Sequence, residues 1–287
     1  MRDFIIVTDS TVDLPESMLE EQGIPVLQLN YVLDGKTYED RKGLSGREFF
    51  DKLREGSMPT TSQVNPEQAR EFFESFVKEG KDILCIGFSS GLSGTYNSER
   101  IAAEELSEEY PDTKIIVIDS LCASMGQGLL LAKALKKQRE GMTLEELAQW
   151  LEENKLHICH NVTVDDLNHL YRGGRISKTT AVLGTLVQIK PIIHMNDEGK
   201  LIVIGKERGR KKALNTIVDM MGKQMEGYEN DLVMVTHGDC LEDAEYVKSQ
   251  IQKKYGIQDV VINGIGTVIG THTGPGVVAV FCMGEKR

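Results

Sequence analysis

The sequence predicts an α/β fold, and three observations support this class. Short apolar runs alternate with amphipathic segments along most of the 287 residues. Hydrophobic residues make up 40% of the chain, which is enough for a substantial core. Small polar residues follow several apolar runs, as they do at the carboxyl ends of parallel strands. The length allows one large or two ordinary domains. We expect two α/β domains, residues 1–155 and residues 156–287.

The first domain is predicted to alternate strands with helices. Apolar runs predict strands at residues 4–8, 26–32, 83–88 and 114–118. Helices are predicted at residues 14–22, 45–53, 65–80, 97–109, 125–139 and 143–153. Ser45 and Glu48 have the spacing of a capping box. Asn65 followed by Pro66 is typical of a helix start.

The second domain repeats this alternation. Strands are predicted at residues 156–164, 192–195, 201–204, 232–236, 260–263 and 277–282. Helices are predicted at residues 164–170, 179–188, 207–224 and 242–255. The segment NDEG at 196–199 lies between two strands and therefore predicts a hairpin.

Charge and cysteine content exclude several classes of protein. The net charge of −11 argues against non-specific binding to nucleic acid and against docking on an anionic membrane. Five scattered cysteines indicate a reducing compartment without disulfides, with Cys85 and Cys282 in the core. No apolar run approaches the ~20 residues of a membrane span, and residues 1–8 lead straight into a strand rather than a signal peptide. We expect a cytoplasmic protein.

The most informative motif is FSSGLSGTY at residues 88–96. It connects a predicted buried strand to a predicted helix. Unpaired backbone N–H groups at a helix N-terminus, with the helix dipole, favour an anion. Ser89, Ser90, Ser93 and Thr95 add hydroxyl donors, and the glycines let a ligand approach the backbone. The motif predicts an anion pocket; the alternative is a serine-rich loop that caps a helix.

Similar polar residues follow other predicted strands, at 8–11, 119–120 and 236–239. Because ligands collect at the carboxyl ends of strands in open α/β sheets, a ligand crevice is favoured there. The segments MPTTSQ at 58–63 and GIGTVIGTHTGPG at 264–276 are further candidates, the second because it holds His272. Ordinary turns remain the alternative for each.

Two clusters of basic residues stand out in this acidic chain. They are LYRGGRIS at 170–177 and ERGRKK at 207–212, and both could contact a phosphate or an acidic partner. The alternative is a solvated helix start. His157, Cys159 and His160 are metal-ligand types, but a strand would point His160 away from the other two. A metal site is therefore not expected.

Familiar catalytic and nucleotide motifs are missing. The sequence has no GxxxxGK[ST] phosphate loop. Ile269 stands where GxGxxG needs a glycine, and Thr95 stands where the hydrolase motif GxSxG needs its last glycine.

With these segments in order, the chain resembles the DegV family across nearly its whole length. The matching segments are VTDS (7–10), PTTSQ (59–63), SSGLSGT (89–95), DS (119–120) with GQG (126–128), RGGRIS (172–177) and TGPG (273–276). The resemblance implies a DegV-like fold of the EDD type, with a ligand crevice between the two α/β domains. It also implies a lipid-binding carrier for one long-chain fatty acid such as palmitate. A separate fatty acid kinase subunit would act on the presented carboxylate and make an acyl phosphate. No cofactor and no metal are implied.

The resemblance also implies residue roles. Thr61 and Ser93 match carboxylate contacts, and His272 matches a polar group near them. Secondary pocket candidates are Ser62, Ser89, Gly94, Thr95, Ser120, Gly126, Gly128 and Thr271. Candidates for phosphate or kinase contacts are Arg172, Arg175 and Arg208. The acyl chain would enter the C-terminal domain, where residues 181–189 and 192–193 are apolar lining candidates. Hydroxyls, a helix N-terminus and a protonated His272 would offset the cost of burying a carboxylate.

Two other functions are weighed against the carrier. In an acyl hydrolase or transferase, Ser93 would be the nucleophile and His272 the base, but the motif glycine is absent. A small-molecule kinase would need an ATP motif, which the sequence lacks. We therefore expect a protein without catalytic residues of its own.

Overall fold

The computed structural model describes residues 3–177, 188–228 and 230–287. The predicted helix at 179–188 and the lining candidates at 181–189 therefore lie largely outside the described residues. Elements are numbered here in chain order. The strands are β1 (Phe4–Asp9), β2 (Val26–Leu27), β3 (Asn30–Leu33), β4 (Lys36–Glu39), β5 (Thr60–Ser62), β6 (Asp82–Gly87), β7 (Ile115–Asp119), β8 (Ile158–Thr163), β9 (Ile189–Met195), β10 (Leu201–Arg208), β11 (Val233–His237), β12 (Val260–Gly264) and β13 (Val278–Met283).

Helices flank these strands through most of the chain. They are α1 (Glu16–Glu21), α2 (Gly46–Arg54), α3 (Pro66–Lys78), α4 (Thr95–Glu109), α5 (Met125–Arg139), α6 (Leu144–Asn154), α7 (Asn168–Arg172), α8 (Arg210–Gln224), α9 (Leu241–Tyr255) and α10 (Thr267–Thr273). Capping boxes begin α2 at Ser45, α3 at Asn65 and α6 at Thr143. The sequence predicted the first of these caps as a capping box and the second as a helix start, and both are confirmed.

Three sheets organise the described residues. A parallel sheet has the order β2-β1-β6-β7, and a small antiparallel sheet has the order β4-β3-β5. The third sheet has the order β10-β9-β8-β13-β11-β12 and is antiparallel except for the β11–β12 pair. The mixture of parallel and antiparallel strands with helices confirms the predicted α/β class.

Each of the two larger sheets comes from one half of the chain, whereas the main hydrophobic core contains residues of both halves. Strands of the parallel sheet precede residue 155, and strands of the six-stranded sheet follow it. The largest buried cluster nevertheless includes Ile6 and Phe50 from the first half and Val162 and Phe281 from the second. The domain division at residue 155 stays a prediction.

Several element predictions were wrong for physical reasons. The strand predicted at 26–32 is two strands in different sheets, since β2 pairs with β1 and β3 pairs with β4 and β5. The predicted helix at 207–224 begins only at Arg210, because Glu207 and Arg208 extend β10 along β9. β4, β5 and α10 were missed, since they are short and polar or glycine-rich.

The predicted core positions of Cys85 and Cys282 are confirmed, because both side chains are buried. All five cysteines lie in the described parts of the chain as free thiols. Across the described ranges, no helix combines the length and apolar character needed to cross a bilayer.

Candidate functional site

A cavity of about 380 Å³ lies where the two halves of the chain meet. Its size is within the range of ligand pockets. Most of the wall is apolar and includes Leu29, Phe88, Leu92, Val162, Met195, Ile269 and Phe281. Its polar lining includes three predicted site residues, Thr61, Ser93 and His272. An apolar chamber with a few convergent polar groups suits an amphipathic ligand.

Thr61 and His272 are in direct contact. The Oγ1 atom of Thr61 lies 2.8 Å from Nε2 of His272, across 211 residues of sequence. Thr61 lies in β5, opposite Tyr31 of β3. His272 lies in the last turn of α10. A strand of the small sheet and a short helix therefore hold this pair together.

Ser93 lies in the loop between β6 and α4. Its backbone N–H donates to the carbonyl of Ser89, and its Oγ accepts from the backbone N–H of Thr95 at 3.2 Å. The same Oγ is 3.0 Å from Oγ1 of Thr95. Gly94 precedes α4 and packs so closely on Gln63 that a Cβ there would lie 2.2 Å from the amide oxygen. The tight loop thus brings the Ser93 hydroxyl to the N-terminus of α4.

His272 is neutral in the free protein near pH 7. Burial, together with the charges of Arg175 and Arg172, lowers the pKa of its imidazole to about 4. The sequence analysis suggested a protonated ring beside a bound carboxylate, and that state of the complex stays a prediction. Its Nδ1 atom is buried and has no hydrogen-bond partner within the described ranges.

The three predicted arginines have different surroundings. Arg175 donates through Nε and Nη2 to the carbonyl of Leu92 at 3.0 and 2.7 Å, and it lines the cavity. Arg172 lies 2.9 Å from Nδ1 of His169 and, with Arg175 and His272, lines a second pocket of about 250 Å³. Arg208 is exposed on β10, lines neither pocket, and lies 3.4 Å from the side-chain oxygen of Gln188. The structure thus groups Arg172 and Arg175 and leaves Arg208 apart.

The secondary candidates divide into lining and supporting residues. Ser62 and Gly94 line the cavity, and Thr271 lines the second pocket. The hydroxyl of Ser89 donates to the carbonyl of Gly199, and that of Ser120 accepts from the N–H of Cys122. These two, with Thr95, Gly126 and Gly128, are absent from the described lining of both pockets.

The two glycines of GQG allow close packing of α5. A Cβ on Gly126 would lie 2.2 Å from Nε2 of His160, and one on Gly128 would lie 2.7 Å from a methyl of Leu14. His160 lines the cavity, although it was considered from the sequence only as a possible type of metal ligand. Its Nε2 accepts from the N–H of Ala123, and burial lowers its pKa to about 3.

Two further predictions from the sequence concern residues of the second half. Ile192 and Ile193 are both buried, and neither is among the described residues that line the cavity. His157 belongs to a turn before β8 rather than to the strand. No group of three potential metal ligands occurs among the residues that the structure describes.

The hydrolase alternative lacks its central contact. Within the described ranges, no hydrogen bond joins Ser93 to His272, whose Nε2 contacts Thr61 instead. A serine nucleophile needs a base within hydrogen-bond reach. The contacts of the described residues therefore give no support to Ser93 as a nucleophile activated by His272.

Comparisons with known proteins agree with the geometry. A family model described as "Uncharacterised protein, DegV family" matches residues 3–285. A DegV domain-containing protein of Clostridium perfringens is 45% identical over 289 residues, covering 100% of this chain and 99% of that protein. A solved structure of a DegV family protein from Thermus thermophilus, described as fatty acid binding, is 31% identical with a TM-score of 0.88, covering 99% of this chain and 100% of that one. A fatty acid binding DegV family protein from Streptococcus agalactiae is 31% identical with a TM-score of 0.88, covering 100% of both chains.

Proposed function

The chain belongs to the DegV family, and we propose that it binds one long-chain fatty acid in the cavity lined by Thr61, Ser93 and His272. The observation that carries this proposal is the mainly apolar chamber with two hydroxyls and an imidazole in its wall. The related proteins from Thermus thermophilus and Streptococcus agalactiae are described as fatty acid binding, which supports the same ligand class.

The acyl chain supplies most of the binding free energy. Burying about 14 methylenes at about 0.8 kcal/mol each gives an upper bound of about 11 kcal/mol. Lost translational freedom and chain ordering offset part of it. A long-chain acid of the palmitate class is therefore expected to bind tightly.

The carboxylate needs donors because a buried charge without them is costly. With Nε2 protonated, His272 donates to Thr61, whose own hydroxyl hydrogen can then point at the ligand. Ser93 offers a second hydroxyl in the wall of the same cavity. A bound carboxylate would also favour the charged imidazole and raise the pKa of His272 above its free value of about 4.

We further propose that the protein is a carrier, and that a separate fatty acid kinase subunit phosphorylates the carboxylate. Arg172 and Arg175 line the second pocket beside His272, where a phosphate could approach. Arg208, exposed elsewhere, would serve as a kinase contact. We also propose that the chain divides into two domains at residue 155.

Native mass spectrometry of the purified protein tests the ligand class. We expect an adduct with the mass of one long-chain fatty acid, lost on delipidation and restored by palmitate. Decanoate at the same concentration is the control, because its shorter chain buries fewer methylenes. Absence of any adduct, together with no uptake of palmitate, would overturn the proposal.

A further inference from the structure

The small sheet β4-β3-β5 contacts α10 at both ends. Thr61 of β5 contacts His272 in the last turn of the helix. Asp40, which directly follows β4, contacts the first turn. Because β4 and β5 both pair with β3, the two contacts come from one rigid unit.

Asp40 acts as the cap that α10 lacks. Its Oδ1 accepts from the hydroxyl of Thr267 at 2.7 Å and from the N–H of Val268 at 3.1 Å. The residue at the N-cap position is Gly266, which has no side chain to cap with. The first turn is therefore capped by a carboxylate 227 residues away in sequence.

The other oxygen of Asp40 fixes the carboxylate in place. Its Oδ2 accepts from the hydroxyl of Ser10 at 2.9 Å, and that hydroxyl accepts from the N–H of Leu29 at 3.1 Å. The side chain of Asp40 is fully buried, at 0% exposure. A buried and fully bonded carboxylate holds one orientation, so it defines where the helix begins.

A second carboxylate supports the same turn. The Oδ1 atom of Asp13 accepts from the N–H of Gly266 at 2.8 Å, and its Oδ2 accepts from the hydroxyl of Ser124 at 2.5 Å. The charged groups that act on this pair are the two carboxylates themselves and Arg41, which donates to the carbonyl of Leu14. The side chains of Asp13 and Asp40 thus accept from backbone donors at the start of α10.

The helix depends on these contacts because it is short. An isolated helix of seven residues is unstable in water, since nucleation is costly. Val268 and His272 are four residues apart, which is about 6 Å along a helix axis. Loss of the cap would free the first turn and change the position of the imidazole.

We propose that Asp40, supported by Asp13, is a positioning residue that holds α10 so that His272 stays against Thr61. The positioning of His272 by Asp40 applies to the ligand-free protein. An influence of Asp40 on fatty acid affinity rests on the proposed function.

The test compares three variants of the full chain. Asp40→Ala removes the cap, and Asp40→Asn keeps an oxygen that can accept from Thr267 and Val268. Asp82→Ala is the matched control, because Asp82 is also a buried carboxylate that accepts a backbone N–H, from Lys114 at 2.9 Å, but in β6. The readouts are the imidazole ¹⁵N resonances of His272 in the delipidated protein and the affinity for a fluorescent long-chain fatty acid.

We expect Asp40→Ala to shift the His272 resonances and to weaken probe binding about tenfold, the loss that corresponds to one hydrogen bond. Asp40→Asn should restore both readouts to within about twofold. Asp82→Ala should leave the resonances unchanged. Unchanged His272 resonances in folded Asp40→Ala overturn the proposal, and so does an equal shift in Asp82→Ala.

Two further outcomes are distinguishable. If the His272 resonances shift while the unsubstituted protein binds no fatty acid, the positioning role stands and the proposed function fails. If Asp40→Ala does not fold, Thr267→Val replaces it, because it removes one bond to Asp40 and keeps the shape of the side chain. A shift of His272 in that variant supports the proposal, and no shift overturns it.

Discussion

At the scale of single residues, the proposed carboxylate site depends on two hydroxyls. Thr61→Ala and Ser93→Ala should each weaken fatty acid binding, because a hydrogen bond to a charged group contributes about 1.5–3 kcal/mol. The corresponding loss of affinity is about tenfold to a hundredfold. Displacement of a fluorescent fatty acid from the delipidated protein measures it.

Neighbouring residues provide the controls. Thr60 precedes Thr61 in β5, and Ser90 is exposed in the loop of Ser93; neither is among the described residues that line the main cavity. Thr60→Ala and Ser90→Ala should bind as the unsubstituted protein does. If Thr61→Ala and Ser93→Ala bind equally well while remaining folded, the carboxylate lies elsewhere.

Asp13 should make the stability depend on pH. Burial, and then the charge of Asp40, raises the pKa of Asp13 to about 7, compared with ~3.9 in an unfolded chain. Between these values the folded protein keeps a proton that the unfolded chain releases. The contribution of protonated Asp13 to the free energy of unfolding is therefore fully present below about pH 4. It is lost as the pH rises through about 7.

Urea unfolding of the protein and of Asp13→Asn between pH 5 and pH 8 measures this contribution. As the pH rises to 7, the unfolding free energy of the unsubstituted protein should fall relative to that of Asp13→Asn. The fall should be at most about 1.4 kcal/mol per pH unit. Above that pH it should level off. A difference that stays constant over the whole range would show that Asp13 titrates normally.

At the scale of elements, α10 packs closely against α2. A Cβ on Gly270 would lie 2.9 Å from Cζ of Phe50 and 3.1 Å from Cε1 of Phe49. Both rings are buried, so the ring of Phe50 or one of the two helices must shift. Gly270→Ala should cost about 1–3 kcal/mol of stability and weaken fatty acid binding, because α10 carries His272.

Gly46 is the control for this change, since a Cβ there meets nothing within 4 Å. Gly46→Ala in α2 should be neutral or slightly stabilising, because alanine is the better helix former. Thermal and urea unfolding compare the two variants. If both have the same small effect, the contact between α10 and α2 does not constrain the site.

The sequence predicted elements best where a local signal exists. Ser45 with Glu48 and Asn65 with Pro66 mark helix starts within a few residues, so α2 and α3 were predicted. α10 has no such signal, because its cap is Asp40 from the far end of the chain. β5 is three polar residues whose strand conformation comes from pairing with β3.

At the scale of the whole molecule, the site is built from contacts that the sequence does not encode locally. The resemblance to a family, rather than any spacing, indicated that Thr61, Ser93 and His272 act together. The cavity now brings them together. Neither the Thr61–His272 contact nor the role of Asp40 could be predicted, because both join residues more than 200 positions apart.

The arginines allow ligand binding and phosphoryl transfer to be separated. Charge reversal at Arg172 or at Arg208 should leave fatty acid affinity within about twofold, because hydroxyls rather than these guanidinium groups are proposed to hold the carboxylate. Acyl phosphate formation should fall at least about tenfold when the cognate kinase subunit and ATP are supplied. Arg175 is unsuitable for this test, because its guanidinium donates to Leu92 and Gly173 and so holds the Ser93 loop.

Lys253→Glu provides the control, since it makes the same change of charge at an exposed position on α9. It should leave both ligand binding and acyl phosphate formation unchanged, because Lys253 is absent from the described lining of both pockets.

A rise in the Michaelis constant for the loaded carrier in Arg208→Glu, with the maximal rate unchanged, would assign Arg208 to docking. A lower maximal rate in Arg172→Glu would assign Arg172 to the transferred phosphate, because that residue lines the pocket beside His272. Loss of fatty acid binding in either variant would instead assign that arginine to the carboxylate site.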